Sequence, residues 1–329
     1  MYESNNFVSQ LNDLVLLCKE FGMHEDLVQA GGGNISVKNE YGYMCIKASG
    51  CTLFEVDMDK NFKYVSTDFI KKYIEENETL NESEQSFLIK ATIDKFSGYP
   101  SIETFIHSLT KKYTVHLHPI STLAISSKNL AKLFPESVII KYIKPGFNLA
   151  RYIYEQTKDG EFPSLIFLEK HGVIITADTL EEVIKLAWTT IDISCWFIRA
   201  DRSKEQGAKL IAEDLYKFYN KYFYVSPLKF KVADINYSPD YVIYKGKIFI
   251  WDKDKLKEYS IKYGRPSVID YYGDFYVVGN NFNECKKLES VFNSYKFLSK
   301  FPVNELSDSE VNELMVWDSE KYRRMEASK

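Results

Sequence analysis

Apolar residues recur at helical spacing over positions 6–22, and Gly22 is placed to end that helix. The period then changes in "QAGGGNISVKNEYGYMCIKASG". A triple glycine, Gly31–Gly33, leads into Ile35–Lys38, a turn at Asn39–Gly42 and a return through Met44–Lys47. That order is a flexible loop followed by a hairpin. Residues 66–78 and 82–96 read as helices, with starts at Ser66-Thr67-Asp68 and Asn81–Glu84. Ser101 is placed to cap a helix over 102–111. The run "YTVHLH" then reads as a strand, followed by a helix near 120–132 and a short strand at 138–143. "PSLIFLEKHGVIITA" gives two strands about a turn at Lys170–Gly172, and residues 179–200 a long amphipathic helix. Alternation of helices and strands predicts an α/β domain over residues 1–205, its sheet covered by helices.

The pattern shifts over 205–235, where a helix rich in Tyr and Lys gives way to "VSPLKFKVADINYSPD". Beyond it, "YVIYKGKIFIW" (241–251) reads as a hairpin turning at Lys245-Gly246. A helix near 253–263, strands at 266–270 and 274–279, and helices at 282–299 and 307–326 complete a smaller α/β unit, 206–329.

Composition narrows the function classes. The chain has 329 residues, net charge −4, and no dense Lys/Arg stripe, so a nucleic-acid surface is not expected. No run of about 18 apolar residues occurs, so no membrane-spanning helix is expected. The start, "MYESNNFVSQLNDL", lacks the basic and apolar regions of a signal peptide. Five cysteines, scattered and never in a CxxC pair, fit reduced thiols in a cytoplasmic protein.

Two of the five histidines lie one residue apart, in "VHLHP". On a strand, His116 and His118 point to the same face, where they either chelate one metal ion or stand as two ordinary strand histidines. His171, at the end of a second apolar strand, makes three donors with an open position, the set of a catalytic rather than a structural zinc site. "PSIETFIH" precedes the pair by one helix. Its Glu103 and His107 are four apart and share a helix face. A carboxylate beside a Lewis-acidic metal is the combination that removes a proton from carbon next to a carbonyl. His107 reads as packing against or supporting this site rather than binding the metal. Gly33 and Asn34 in the glycine loop, Ser49 and Gly50 in "KASG", and Ser101 either cradle one phosphate or are simply turn residues.

These motifs, "GGGNISVK", "IKASG", "PSIETFIH", "VHLHP" and "LEKHGVIITA", stand in the order and spacing of the class II aldolase/adducin family, which residues 6–205 resemble. The resemblance implies a three-layer α/β/α sandwich with a smaller C-terminal α/β unit. It further implies an aldolase-type lyase that cleaves or forms a C–C bond of a sugar phosphate through a metal-stabilised enediolate. Zn²⁺ is the implied cofactor, with Mn²⁺, Co²⁺ or another divalent ion as substitutes. By motif, His116, His118 and His171 fall on the metal ligands, Glu103 on the catalytic carboxylate, and Gly33, Asn34, Ser49, Gly50 and Ser101 on the phosphate-binding positions. A phosphorylated sugar or hydroxy-carbonyl compound is the implied substrate, and a dimer or tetramer the implied assembly.

"GGGN", "PSIET" and "LEKHG" resemble the long rhamnulose-phosphate aldolase type, often fused to a dehydrogenase. No GxGxxG fingerprint accompanies them here, so no dehydrogenase is expected. Same-family epimerase, dehydratase or decarboxylase activity stays open, as does an adducin-like non-catalytic interaction module. Ile102 stands where small aldolases carry a second serine, and no tyrosine can be singled out as proton donor.

Overall fold

The computed structural model describes residues 2–94, 98–296 and 305–316. The chain divides into two compact units, Met1–Ala200 and Asp201–Lys329.

The first unit runs α1 (Tyr2–Gly22), β1 (Asn34–Lys38), β2 (Tyr43–Lys47), β3 (Phe62–Ser66), α2 (Thr67–Glu76), α3 (Glu84–Ala91), α4 (Thr104–Leu109) and β4 (Tyr113–Leu117). It continues through α5 (Ile120–Leu123), α6 (Ser127–Leu133), β5 (Val138–Ile140), α7 (Phe147–Thr157), β6 (Leu165–Leu168), β7 (Gly172–Ala177) and α8 (Leu180–Ile198). Its strands form one seven-stranded sheet in the order β3-β2-β1-β4-β7-β6-β5, antiparallel except for the β5–β6 pair.

Period-2 alternation sorts the strand residues onto two faces. Met44, Ile46, Val65, Ile166, Leu168 and Ile174 share one core with Ile70 and Ile74 of α2, Phe87 of α3, Phe105 of α4 and Phe147 of α7. The intervening residues, among them Val115, Leu117, Val173 and Ile175, are equally buried. Helix α1 packs on β1 and β2, and α8 on β4 and β7. A sheet buried on both faces by helices is the expected α/β/α sandwich.

Register sets up the site. Asn34 pairs with His116, Ser36 with Thr114, and His116 with Ile174, so Asn34, Ser36, Thr114, His116 and Thr176 share one face. This polar stripe breaks an otherwise apolar sheet surface, and α4 lies over it.

Several elements differ from the sequence reading. The helix expected over 82–96 ends at Ala91. Thr92 bridges to Val65, Ile93 N–H donates to Tyr64 O, and Asp94 accepts from Tyr64 N–H while pairing with Lys63 at 3.0 Å. Pairing with β3 thus outcompetes the last helical turn; positions 95 and 96 lie outside the described residues. The helix expected over 120–132 is two short ones, α5 and α6, and the helix expected over 102–111 is only α4. Strand β3 and helix α7 had no counterpart in the reading. α7 starts where Glu84 accepts from Phe147 N–H at 2.7 Å, a tertiary cap that local sequence does not announce.

The second unit comprises α9 (Ser203–Tyr219), β8 (Tyr224–Pro227), α10 (Pro239–Lys245), β9 (Phe249–Ile250), α11 (Leu256–Tyr263), β10 (Val268–Tyr271), β11 (Asp274–Gly279), α12 (Phe282–Tyr295) and α13 (Asp308–Val316). Its sheet has the order β8-β11-β10-β9. The hairpin expected over 241–251 is instead α10 followed by β9. Ser238 caps α10, accepting from Tyr241 N–H, with Pro239 in its first turn and Gly246 at positive φ beyond its end. That cap outweighs the strand-like composition of "YVIYK". The expected helices over 282–299 and 307–326 are α12 and α13; positions 297–299 and 317–326 lie outside the described residues.

Candidate active site

Three chain segments deliver the histidines and the carboxylate. β4 carries His116, with His118 one residue past its end. Lys170, in the left-handed conformation at φ 60°, turns the chain from β6 into β7 and sets His171 beside them. Glu103 stands at the N-cap position of α4, which the short Thr110–Lys112 link folds back over β4. One ligand atom from each of Glu103, His116, His118 and His171 lies within 4.8 Å of all the others. The ring centroids of the three histidines are 4.8 to 4.9 Å apart.

The polar atoms in this cluster lack ordinary partners. Both nitrogens of His116, Nε2 of His118 and Nδ1 of His171 are buried with no hydrogen bond from the protein. Glu103 Oε1 comes within 3.0 Å of His116 Nδ1 and 3.5 Å of His171 Nε2. The first approach is an electrostatic contact rather than an aligned hydrogen bond. Unpaired buried polar atoms are costly and in native structures call for an explanation. Convergence of three imidazoles and a carboxylate supplies one: this donor set suits a divalent transition ion, zinc in particular. The residues therefore fit a metal.

Electrostatics agree with that fit. Burial, reinforced by His116, lowers the His118 pKa to about 4, so its ring is neutral and has a lone pair free at neutral pH. Burial alone would push the Glu103 carboxyl up; His116 and His171 outweigh it and hold the group well below the usual carboxylate range. Neutral imidazole and ionised carboxylate are the forms that ligate metals and accept protons.

Close packing fixes the rings. A Cβ on Gly32 would come 2.9 Å from His118 Nδ1 and equally close to Gln29 O, so the glycine loop lies directly against the histidines. The expected phosphate residues converge beside it. Gly33 has φ 72°, and Asn34 is buried with its Oδ1 unpaired among the described residues. Ser49 N–H donates to Tyr99 O at 2.9 Å, and Ala48 bridges to Pro100, which holds the Ser49-Gly50 turn beside Ser101. Ser101 Oγ accepts from Glu103 N–H at 3.3 Å. Glycine loop, serine turn and Glu103 segment thus meet around one place.

Lys47 was not singled out by sequence reasoning. It is 2% exposed, donates to Gly31 O at 3.2 Å and Ala48 O at 3.4 Å, and has no carboxylate partner among the described residues. A buried ammonium beneath the glycine loop makes that region electropositive. Its position directly before "ASG" was the available signal. His107 joins no ligand cluster; its Nδ1 lies 2.8 Å from Ser36 Oγ.

Residues 12–194 match the Class II Aldolase and Adducin N-terminal domain. An uncharacterized oxidoreductase, YuxG of Bacillus subtilis (strain 168), is 28% identical over 186 residues, 52% of this chain and 27% of that protein. The match thus spans about a quarter of that relative's length. The N-terminal class II aldolase domain of a conserved protein from Thermoplasma acidophilum is 27% identical, with 57% of this chain and 93% of that one covered and a TM-score of 0.51. An L-fuculose-1-phosphate aldolase from Thermus thermophilus is more distant, at 16% identity, 58% and 94% coverage and a TM-score of 0.41. The matched stretch contains every residue of the site just described, and the chain belongs to the class II aldolase and adducin N-terminal domain family.

Proposed function

We propose that this protein is a divalent-metal-dependent lyase that makes or breaks a C–C bond of a phosphorylated sugar or related hydroxy-carbonyl compound. The observation that carries this reading is the convergence of Glu103, His116, His118 and His171, with buried imidazole nitrogens left unpaired. His116, His118 and His171 would hold Zn²⁺, which when bound supplies the Lewis acidity that polarises a carbonyl. Glu103, ionised and with no lysine partner among the described residues, takes the proton from the adjacent carbon. Gly33, Asn34, Ser49, Gly50 and Ser101 bind the phosphate, and Lys47 adds positive charge from below the loop. The chemistry belongs to residues 1–205; the smaller C-terminal unit supplies none of these groups. An intact ligand set also separates the chain from a purely structural, adducin-like role.

The test joins metal content to proton abstraction. Purified protein should carry about one divalent ion per chain, lost in His116→Ala. Wild type should exchange a carbon-bound proton of dihydroxyacetone phosphate with deuterated water and release aldehyde from a ketose 1-phosphate. Glu103→Gln should keep the metal and lose exchange. Exchange without aldehyde release would move the reading to a same-family epimerase or decarboxylase. Protein that binds no divalent metal would sink it.

A further inference from the structure

His107 is fully buried, yet it is not among the residues whose ligand atoms converge. Its Nδ1 lies 2.8 Å from Ser36 Oγ, and its Nε2 has no hydrogen-bond partner among the described residues. Its backbone N–H donates to Glu103 O at 3.0 Å, which places the ring one turn along from Glu103 on the same face of α4.

Ser36 lies on β1, two residues from Asn34, and both face α4. Asn34 is registered opposite His116 on the neighbouring strand. One strand face therefore abuts both halves of the site: Asn34 sits against the histidine strand, and Ser36 reaches the helix that brings Glu103. Six-residue α4 is too short to hold itself in place, so tertiary contacts set its position. At its far end, Lys38 Nζ donates to Thr110 Oγ1 at 2.8 Å and to Lys111 O at 3.0 Å, a second tie to the same strand. Between the two, only Ser36–His107 lies on the turn that carries Glu103.

We infer that Ser36 and His107 form a positioning pair that locks the first turn of α4 to β1 and so fixes the Glu103 carboxylate against the three histidines. This rests on the metal reading above. His107 acts through Glu103 and offers no ligand atom of its own.

The test uses Zn²⁺ and Co²⁺ alone, with no substrate. In Ser36→Ala and His107→Phe the visible bands of the Co²⁺ protein should change in position and intensity. Zn²⁺ affinity should fall about tenfold, because the Glu103 carboxylate lies within 4.8 Å of each histidine ligand atom and its charge, when held there, favours the bound cation. Ser36→Thr and His107→Asn, which keep the hydrogen bond, should restore both. In a Glu103→Ala background, Ser36→Ala should cause no further change, because the pair acts through that carboxylate. Wild-type Co²⁺ bands and Zn²⁺ affinity in Ser36→Ala, with only a lower melting temperature, would overturn the inference and leave the metal reading standing. Additive losses in the Glu103→Ala background would overturn it too. Wild-type protein that binds neither ion would sink the metal reading and the inference together. Ser36→Ala carries the test if His107→Phe does not fold.

Discussion

Gly172 stands so close to the carbonyl of Leu117 that it has no room for a side chain. A Cβ there would come 3.2 Å from His116 Nε2 and 2.8 Å from His118 Cδ2, and would clash with the carbonyl of Leu117. Gly172 opens β7 directly after His171, so the glycine lets two histidine-bearing strand ends approach.

Gly172→Ala should therefore loosen the site from its most crowded point. Overpacking typically costs about 1–3 kcal/mol, and here the displaced atoms are the Leu117 carbonyl and the histidine rings beside it. Urea unfolding should show that loss, and zinc content should drop in the same preparation. Full metal content with wild-type stability would mean that the β4–β7 junction yields without disturbing the histidines.

Acid should destabilise the metal-free protein well above the usual carboxylate range. The folded pKa values of His107 and His118 are lowered to about 3 and about 4, against 6.5 for the free side chain. Between those limits the unfolded chain binds more protons, so the stability these rings contribute is present above pH 6.5 and lost as pH falls toward 4 and then 3. Glu103, also lowered, adds loss in the same direction below its unfolded pKa. The decline from pH 7 to 4 should be on the order of a few kcal/mol, shared between His107 and His118, with His107 alone of the two continuing it below pH 4. Urea titrations of EDTA-treated protein at stepped pH check this, and His107→Phe should flatten the slope. A slope unchanged by that substitution would contradict the assignment.

The site was more legible than parts of the scaffold around it, for a physical reason. His116 and His118 needed only strand parity to share a face, and His171 only its place at a strand end. The contact between Ser36 and His107 spans 71 residues and the burial of Lys47 depends on a loop crossing it, so neither leaves a local period in the chain. The fold errors have the same origin. α10 was hidden because Tyr241, Val242 and Ile243 are β-formers that tertiary packing buries in a helix. The end of α3 was hidden because Asp94 answers to Lys63, 31 residues away.

That last pair makes its own prediction. Lys63 and Asp94 side chains are 2% and 6% exposed and meet at 3.0 Å. Asp94→Ala takes away the carboxylate that meets the buried Lys63 ammonium and accepts from Tyr64 N–H, so it should destabilise by about 3–5 kcal/mol, whereas Lys63→Met with Asp94→Leu should recover much of it. Thermal unfolding of the two single variants and the double variant measures the coupling. Equal losses that simply add would show that the two charges are separately solvated.

Lys47 offers a test of the anion site that needs neither substrate nor turnover. Its ammonium lies under Gly31 and, among the described residues, has only backbone carbonyls as hydrogen-bond partners, so no carboxylate there neutralises its charge. In a low-dielectric setting that charge reaches an anion at the glycine loop with little screening. Lys47→Met should weaken binding of inorganic phosphate by about tenfold, roughly 1.4 kcal/mol, and Lys47→Arg should retain most of it. Calorimetric titration of the zinc-loaded protein with phosphate measures this at two ionic strengths. The wild type should lose affinity only modestly with added salt, because the charge is buried. If Lys47→Met binds phosphate as tightly as wild type, the ammonium serves the glycine loop alone, and the positive field over the serine turn must come from elsewhere.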